Sequence, residues 1–127
     1  MMDIFFQDPT EVPLPPQDVR IQELRVEPWA DGRRVRVHLL LTPFQKRPSL
    51  EVVIHNSTED PVAQVSIIET MTRKLEFIMH LREEEPAGAY TARAVLYYEP
   101  AVDEKTVELE QKPEPVVVDR AEASFSV

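Results

Sequence analysis

The chain has 127 residues, of which 43% are hydrophobic and 29% are charged, so its length and composition predict one folded domain and exclude a disordered chain. Its 14 Lys and Arg against 23 Asp and Glu give a net charge of −9. That charge disfavours a nucleic-acid partner, because a long phosphate backbone would be repelled.

The residue types that support catalysis are sparse in this sequence. It contains no cysteine, which excludes disulfides, Cys-ligated zinc, iron–sulfur clusters and cysteine nucleophiles. No serine lies in a G-x-S-x-G motif, and two glycines are too few for a phosphate-binding loop. We therefore expect a protein that is not an enzyme and has no cofactor.

The N-terminal residues give no sign of a membrane or secretion signal. Residues 1–7 carry no Lys or Arg, and the apolar run 4–6 is far too short for a signal peptide or a spanning helix. The sequence therefore predicts a cytoplasmic protein that has no membrane partner.

Proline sets the organisation of the chain. There are 12 prolines against two glycines, which disfavours long helices. Four of these prolines, three acids and no base fall within residues 1–16, which predicts an extended, acidic N-terminal arm. We expect this arm to dock through Phe5 and Phe6, and residues 17–127 to form the single domain.

Between Asp18 and Tyr98 the apolar residues mostly alternate with polar ones, which is typical of half-buried strands. The apolar phase slips by one residue between Ile21 and Leu24, which indicates a bulge. Asp31 and Gly32 predict a tight hairpin, because both tolerate positive φ. Six strands are predicted, at residues 19–26, 35–41, 50–54, 62–67, 75–81 and 90–98.

The C-terminal part of the chain has a weaker pattern. Residues 104–110 fit either a short strand or a turn of helix. Beyond them, apolar residues alternate with polar ones from Ala121 to Val127, and we place the last strand there after a long acidic loop. Strands at this spacing predict an all-β, antiparallel sandwich or barrel of seven to eight strands.

One segment, residues 86–98, carries a resemblance to a known family. It has a glycine turn at Gly88, then Tyr90, then a long alternating strand. It resembles the penultimate strand of immunoglobulin-like and fibronectin-type-III-like sandwiches, where the tyrosine hydroxyl bonds back to nearby backbone. The resemblance implies an antiparallel Ig-like β-sandwich with Tyr90 in that role. The Cys, Trp, Cys pattern of antibody domains is missing, and the fold alone specifies no activity.

The same resemblance makes the second and fifth strands neighbours. His38 and His80 would then lie on one outer face and, with Glu76, form a candidate metal site. No H-x-H or H-E-x-x-H motif is present, so solvent-facing histidines are the alternative.

Charge is unevenly distributed along the chain. Residues 33–47 hold five basic and no acidic residues, whereas residues 99–127 hold eight acids and three bases. Either the basic residues pair with glutamates on the neighbouring strands, or the two regions dock oppositely charged surfaces.

Several apolar residues fall on the predicted outer face. Val53 on the third strand would share that face with Val95 and Tyr97 on the sixth, because the resemblance makes these strands neighbours. Phe5 and Phe6 of the arm, or the same face of a second molecule, would cover them. The sequence thus predicts a non-catalytic module that binds another protein or forms a homodimer, with a small-ligand or metal-binding domain as the alternative.

Overall fold

The computed structural model describes residues 12–83, 86–100 and 114–127. The predictions for Phe5, Phe6 and residues 104–110 lie outside these ranges. Within them, one short 3-10 helix (Pro16–Asp18) precedes the strands. The strands are β1 (Ile21–Pro28), β2 (Arg34–Leu41), β3 (Ser49–Asn56), β4 (Pro61–Ile67), β5 (Lys74–His80), β6 (Ala89–Tyr98) and β7 (Val116–Ser126).

The strands form two antiparallel sheets, one of three strands in the order β1-β2-β5 and one of four in the order β4-β3-β6-β7. The predicted fold class, an antiparallel Ig-like β-sandwich, is confirmed. β2 and β5 are neighbours, as are β3 and β6, which is the order that the resemblance implied. No helix in the described ranges is long and apolar enough to cross a membrane.

The core lies between the sheets because β2, β3 and β6 are apolar at every second position on one side. β2 is the clearest example, since its residues alternate strictly between half-buried and buried. β3 and β6 bury their own alternate positions against it. The residues with at most 1% exposure include Val35, Val37, Leu39, Leu41, Leu50, Val52, Ile54, Ala92, Ala94 and Leu96.

β1 and β7 close one side of the sandwich. The register of β1 shifts between Ile21 and Glu23, where the apolar phase predicted a bulge. The backbone N–H of Ile21 donates to Oδ2 of Asp119 on β7 at 2.9 Å. A side chain of β7 therefore satisfies a backbone donor of β1, which joins the edges of the two sheets.

β7 begins at Val116, five residues before the predicted start at Ala121. It pairs with β6 along its whole length, and this backbone pairing, rather than side-chain pattern, sets its start. The register shifts opposite Leu96 and Tyr97, where Asp119 faces Leu96 and Val117 faces Tyr97. Because one extra β7 residue is inserted there, the inward–outward alternation of β7 changes phase at this point.

The turn between β1 and β2 has the residues that its geometry requires. Gly32 has φ +67°, and a Cβ at this position would lie 3.3 Å from Cγ1 of Val127. The Asp31 carboxylate accepts hydrogen bonds from the backbone N–H groups of Arg33 and Arg34, at 3.0 and 3.1 Å. It also accepts one from Nε of Arg34, at 2.7 Å. Together these contacts lower the pKa of Asp31 to about 2, and the hydrogen bond from the Arg33 backbone has the largest effect.

The turn before β6 holds the tyrosine contact that the resemblance implied. The Tyr90 hydroxyl donates to the backbone carbonyl of Pro86, and the ring stacks on Phe125 with centroids 5.4 Å apart. Gly88, with φ +144°, exchanges two backbone hydrogen bonds with Val127 at 3.0 and 2.9 Å. Tyr90 therefore ties the turn to β6 and packs it against β7.

The described part of the N-terminal arm contacts the domain through Leu14. Its backbone forms a parallel bridge with Phe44, and its N–H donates to the Pro43 carbonyl at 3.1 Å. Leu14 and Phe44 are both half-buried and pack against the core. These contacts hold residues 12–16 at the end of the sandwich where β2 ends and β3 begins.

Candidate functional site

The outer face of the four-stranded sheet carries the three apolar residues predicted for an interface. Val53 lies opposite Arg93, and on β6 Val95 and Tyr97 lie opposite Glu51 and Ser49 of β3. Val53 and Val95 are therefore diagonal neighbours on adjacent strands. All three residues are half-buried. The sheet thus brings them onto one face.

A groove of about 530 Å³ lies at one end of this face, and we call it the Tyr97 groove. It is lined by Glu51, Val95, Tyr97, Glu99, Glu114, Pro115 and Val117. Val117 lies directly opposite Tyr97 on β7 and is 38% exposed, and its neighbour Val116 is 55% exposed. Val53 is outside the groove, on the sheet surface beside it.

The phenol of Tyr97 lies in a partly buried and negatively charged environment. Burial has the largest effect and raises the pKa of Tyr97, and the carboxylates of Glu99 and Glu51 raise that pKa further. A hydrogen bond with the Ser49 side chain acts in the opposite direction. Ser49 is itself only 2% exposed, and its Oγ accepts the Glu69 backbone N–H at 3.0 Å. Tyr97 therefore lies opposite a buried, hydrogen-bonded residue at the start of β3.

The other end of the same face is charged but internally paired. Arg93 on β6 contacts Glu59 at 2.8 Å and Glu122 on β7 at 3.2 Å. The hydrogen bond from Arg93 lowers the pKa of Glu59. By contrast, no ion pair joins Glu99 or Glu114 to any residue within 12–83, 86–100 and 114–127. The carboxylates that line the Tyr97 groove thus form no ion pair within the described ranges.

The outer face of the three-stranded sheet is organised around arginines on β2. The guanidinium of Arg34 lies 4.1 Å from the centre of the Trp29 ring, a cation–π contact, and also pairs with Asp31 at 2.7 Å. Arg36 pairs with Glu76 on β5 at 3.3 Å. These two arginines of the basic stretch 33–47 therefore already have carboxylate partners in the fold.

The candidate metal residues are only partly brought together. His38 lies opposite Glu76, with Nδ1 3.9 Å from Oε2, and its Nε2 lies 3.5 Å from Oε1 of Glu27. His80 lies opposite Arg34, four positions further along β5 than Glu76, a separation of about 13 Å at the rise of a strand. Metal–nitrogen bonds are about 2 Å long, so His38 and His80 lie too far apart to share an ion. No group of three or more His, Cys, Asp and Glu residues in the described ranges is arranged to hold a metal.

Sequence reasoning missed five residues of the groove. It is lined by Val95 and Tyr97 together with Glu51, Glu99, Glu114, Pro115 and Val117. The acidic excess over residues 99–127 and the apolar run at 116–118 were visible signals. The convergence of these residues on one groove was not visible in the sequence, because it requires both the β6–β7 pairing and the register shift at Tyr97.

No protein-family model matches the chain, and no curated protein does. The chain is similar to segments of solved glycosidase structures. A β-glucuronidase from Bifidobacterium dentium, complexed with coumarin-3-O-glucuronide, is 16% identical, with a TM-score of 0.57 over 87% of this chain and 18% of that one. A glycosyl hydrolase family 2 member from Bacteroides cellulosilyticus is 12% identical, with a TM-score of 0.52 over 86% of this chain and 15% of that one.

These likenesses show the β-sandwich fold. The chain spans less than a fifth of the length of the glycosidases that it matches. At such low identity, a shared fold carries no information about activity.

Proposed function

We propose that the chain is a non-catalytic β-sandwich module that binds another protein through the outer face of the four-stranded sheet, at the Tyr97 groove. One observation carries the proposal: the half-buried Tyr97 and Val95 meet the exposed Val117 in a groove on that face. Tyrosine is one of the residues enriched among interface hot spots, which a partner buries in a desolvated pocket on binding.

The openness of the groove supports binding rather than catalysis. Glu99 and Glu114 are exposed at its rim, so the groove does not exclude water from these carboxylates. The raised pKa of Tyr97 keeps its phenol neutral near neutral pH, so it is not an activated nucleophile. The glycosidase segments that resemble this chain are also small parts of much longer proteins, which is compatible with a non-catalytic role.

The test is a charge introduced at the centre of the groove. Tyr97→Glu places a carboxylate among three others, and we expect binding to fall more than about 30-fold, as for the loss of an interface hot spot. Thr91→Glu is the matched control, because Thr91 lies on the same strand and the same face but at the opposite end. It should leave binding within about threefold of the wild type.

The measurement uses a partner captured from native lysate, identified, purified and titrated against the wild type and both variants by biolayer interferometry. Circular dichroism melts show that each variant is folded. Equal affinity of the wild type and Tyr97→Glu would reject this face as the docking site. Light scattering on the same samples distinguishes self-association from binding of another protein. Self-association through this face would give a wild-type dimer that Tyr97→Glu converts to a monomer.

A further inference from the structure

The rim of the Tyr97 groove has one sign of charge. Its three carboxylates come from three parts of the chain: Glu51 from β3, Glu99 after the end of β6, and Glu114 before the start of β7. No Lys, Arg or His is among the described residues that line it. Arg120 lies opposite Val95 on β7, yet it is not one of the lining residues. The described surface of the groove is therefore acidic.

The walls of the groove are apolar and aromatic. Val95 lies two residues before Tyr97 on the same face of β6, and Val117 lies opposite Tyr97 on β7. Glu51, opposite Val95 on β3, and Glu99, two residues after Tyr97, line the same groove as the Tyr97 ring. A tyrosine face next to carboxylates attracts a cation, and aliphatic walls accept the methylene stem of a long side chain.

These features together fit one kind of occupant. We infer that the Tyr97 groove binds a basic segment of a partner protein, in which a Lys or Arg side chain packs on Tyr97 between Val95 and Val117 and reaches the rim carboxylates. The inference rests on the proposed docking function and names the chemistry of the partner. Arg is the better fit of the two, because its planar guanidinium both stacks on a ring and contacts a carboxylate through two N–H groups.

A second copy of the chain fits the groove less well. Each copy carries a net charge of −9, so two copies repel each other before contact. Two arginines of the basic stretch, Arg34 and Arg36, are engaged with Asp31 and Glu76 within their own sheet. Charge complementarity therefore favours a basic partner.

The experiment titrates the full chain with fluorescein-labelled peptides and follows fluorescence anisotropy. The probe alternates Arg with Val, and its counterpart alternates Glu with Val. We expect the Arg peptide to bind, the Glu peptide not to bind, and the Arg affinity to fall as salt is raised. The double variant Glu99→Gln with Glu114→Gln should weaken binding of the Arg peptide about tenfold, because two charge pairs at the rim are lost.

The control is the double variant Glu23→Gln with Glu27→Gln, which removes the same charge from β1, on the other sheet. It should leave the affinity within about twofold of the wild type. Equal binding of the Arg and Glu peptides, equal loss in the two double variants, or no binding of the Arg peptide would each overturn the inference. These peptide results are separate from the test of the docking function. If the peptides contradict the inference but Tyr97→Glu still weakens binding of the purified natural partner, the docking function stands and only the basic chemistry inferred for the partner is wrong.

Discussion

Replacement of Tyr90 by Phe tests how the turn before β6 contributes to stability. The substitution removes one hydroxyl, which donates to the carbonyl of Pro86, and leaves the aromatic ring in place. Tyr90 is only 4% exposed, and its ring is stacked on Phe125 at 5.4 Å, a contact that Phe at position 90 can keep. The variant therefore isolates the hydrogen bond from the packing of the ring.

The expected magnitude follows from what the change adds and removes. A hydrogen bond of this kind contributes about 1 kcal/mol net, and a carbonyl left without a partner raises the cost toward about 2 kcal/mol. The buried apolar area hardly changes, so the denaturant slope should not change. With a urea slope of about 2 kcal/mol per molar, the midpoint should fall by about 0.5 to 1 M.

Urea unfolding monitored by circular dichroism measures both the midpoint and the slope. Tyr98→Phe serves as the comparison, because the Tyr98 hydroxyl donates to the Lys46 carbonyl at 2.8 Å from the other end of the same strand. A Tyr90→Phe midpoint within about 0.1 M of the wild type, alongside a clear loss in Tyr98→Phe, would refute the role assigned to the Tyr90 hydroxyl.

Two further predictions concern stability. Leu96→Ala removes a side chain with 0% exposure and should cost about 2–5 kcal/mol, whereas Val116→Ala, at 55% exposure, should cost less than about 0.5 kcal/mol in the same urea assay. The pKa of Asp31 is lowered from 3.8 to about 2, so its contribution to folding is present above pH 4 and is lost as the pH falls toward 2. The melting temperature of Asp31→Ala should therefore lie below that of the wild type at neutral pH and approach it at pH 2, and a difference that grows on acidification would contradict this explanation.

Much of the fold could be predicted because its signals are local. β2 alternates strictly, so its interior and exterior residues follow from the pattern itself. The turn follows from the positive φ of Gly32, and the bulge in β1 from one slipped residue. The positive φ predicted for Asp31 is wrong, because Asp31 stabilises the turn through its carboxylate instead. The start of β7 was predicted too late, because Val116 to Val118 do not alternate and are assigned to the strand only by their pairing with β6.

The candidate site could be predicted only in part. The order of strands that the resemblance implied was enough to place Val53, Val95 and Tyr97 on one outer face. The distance between His38 and His80 could not be predicted from the sequence, because it depends on the register of β2 against β5. A shift of that register by a few residues would leave both sequences unchanged and alter which side chains meet.

The sequence by itself determined which positions of β2, β3, β5 and β6 face inward, where the chain turns, and that the two faces of the sheets differ in polarity. These properties depend on neighbours two to four residues apart, and side-chain periodicity expresses them directly. The tertiary structure alone decided that Glu51, Glu99 and Glu114 surround Tyr97 and that Val117 stands opposite it. That arrangement needs strands distant in sequence to pair in one register, with an extra residue inserted at a single point, and no local pattern specifies such a pairing.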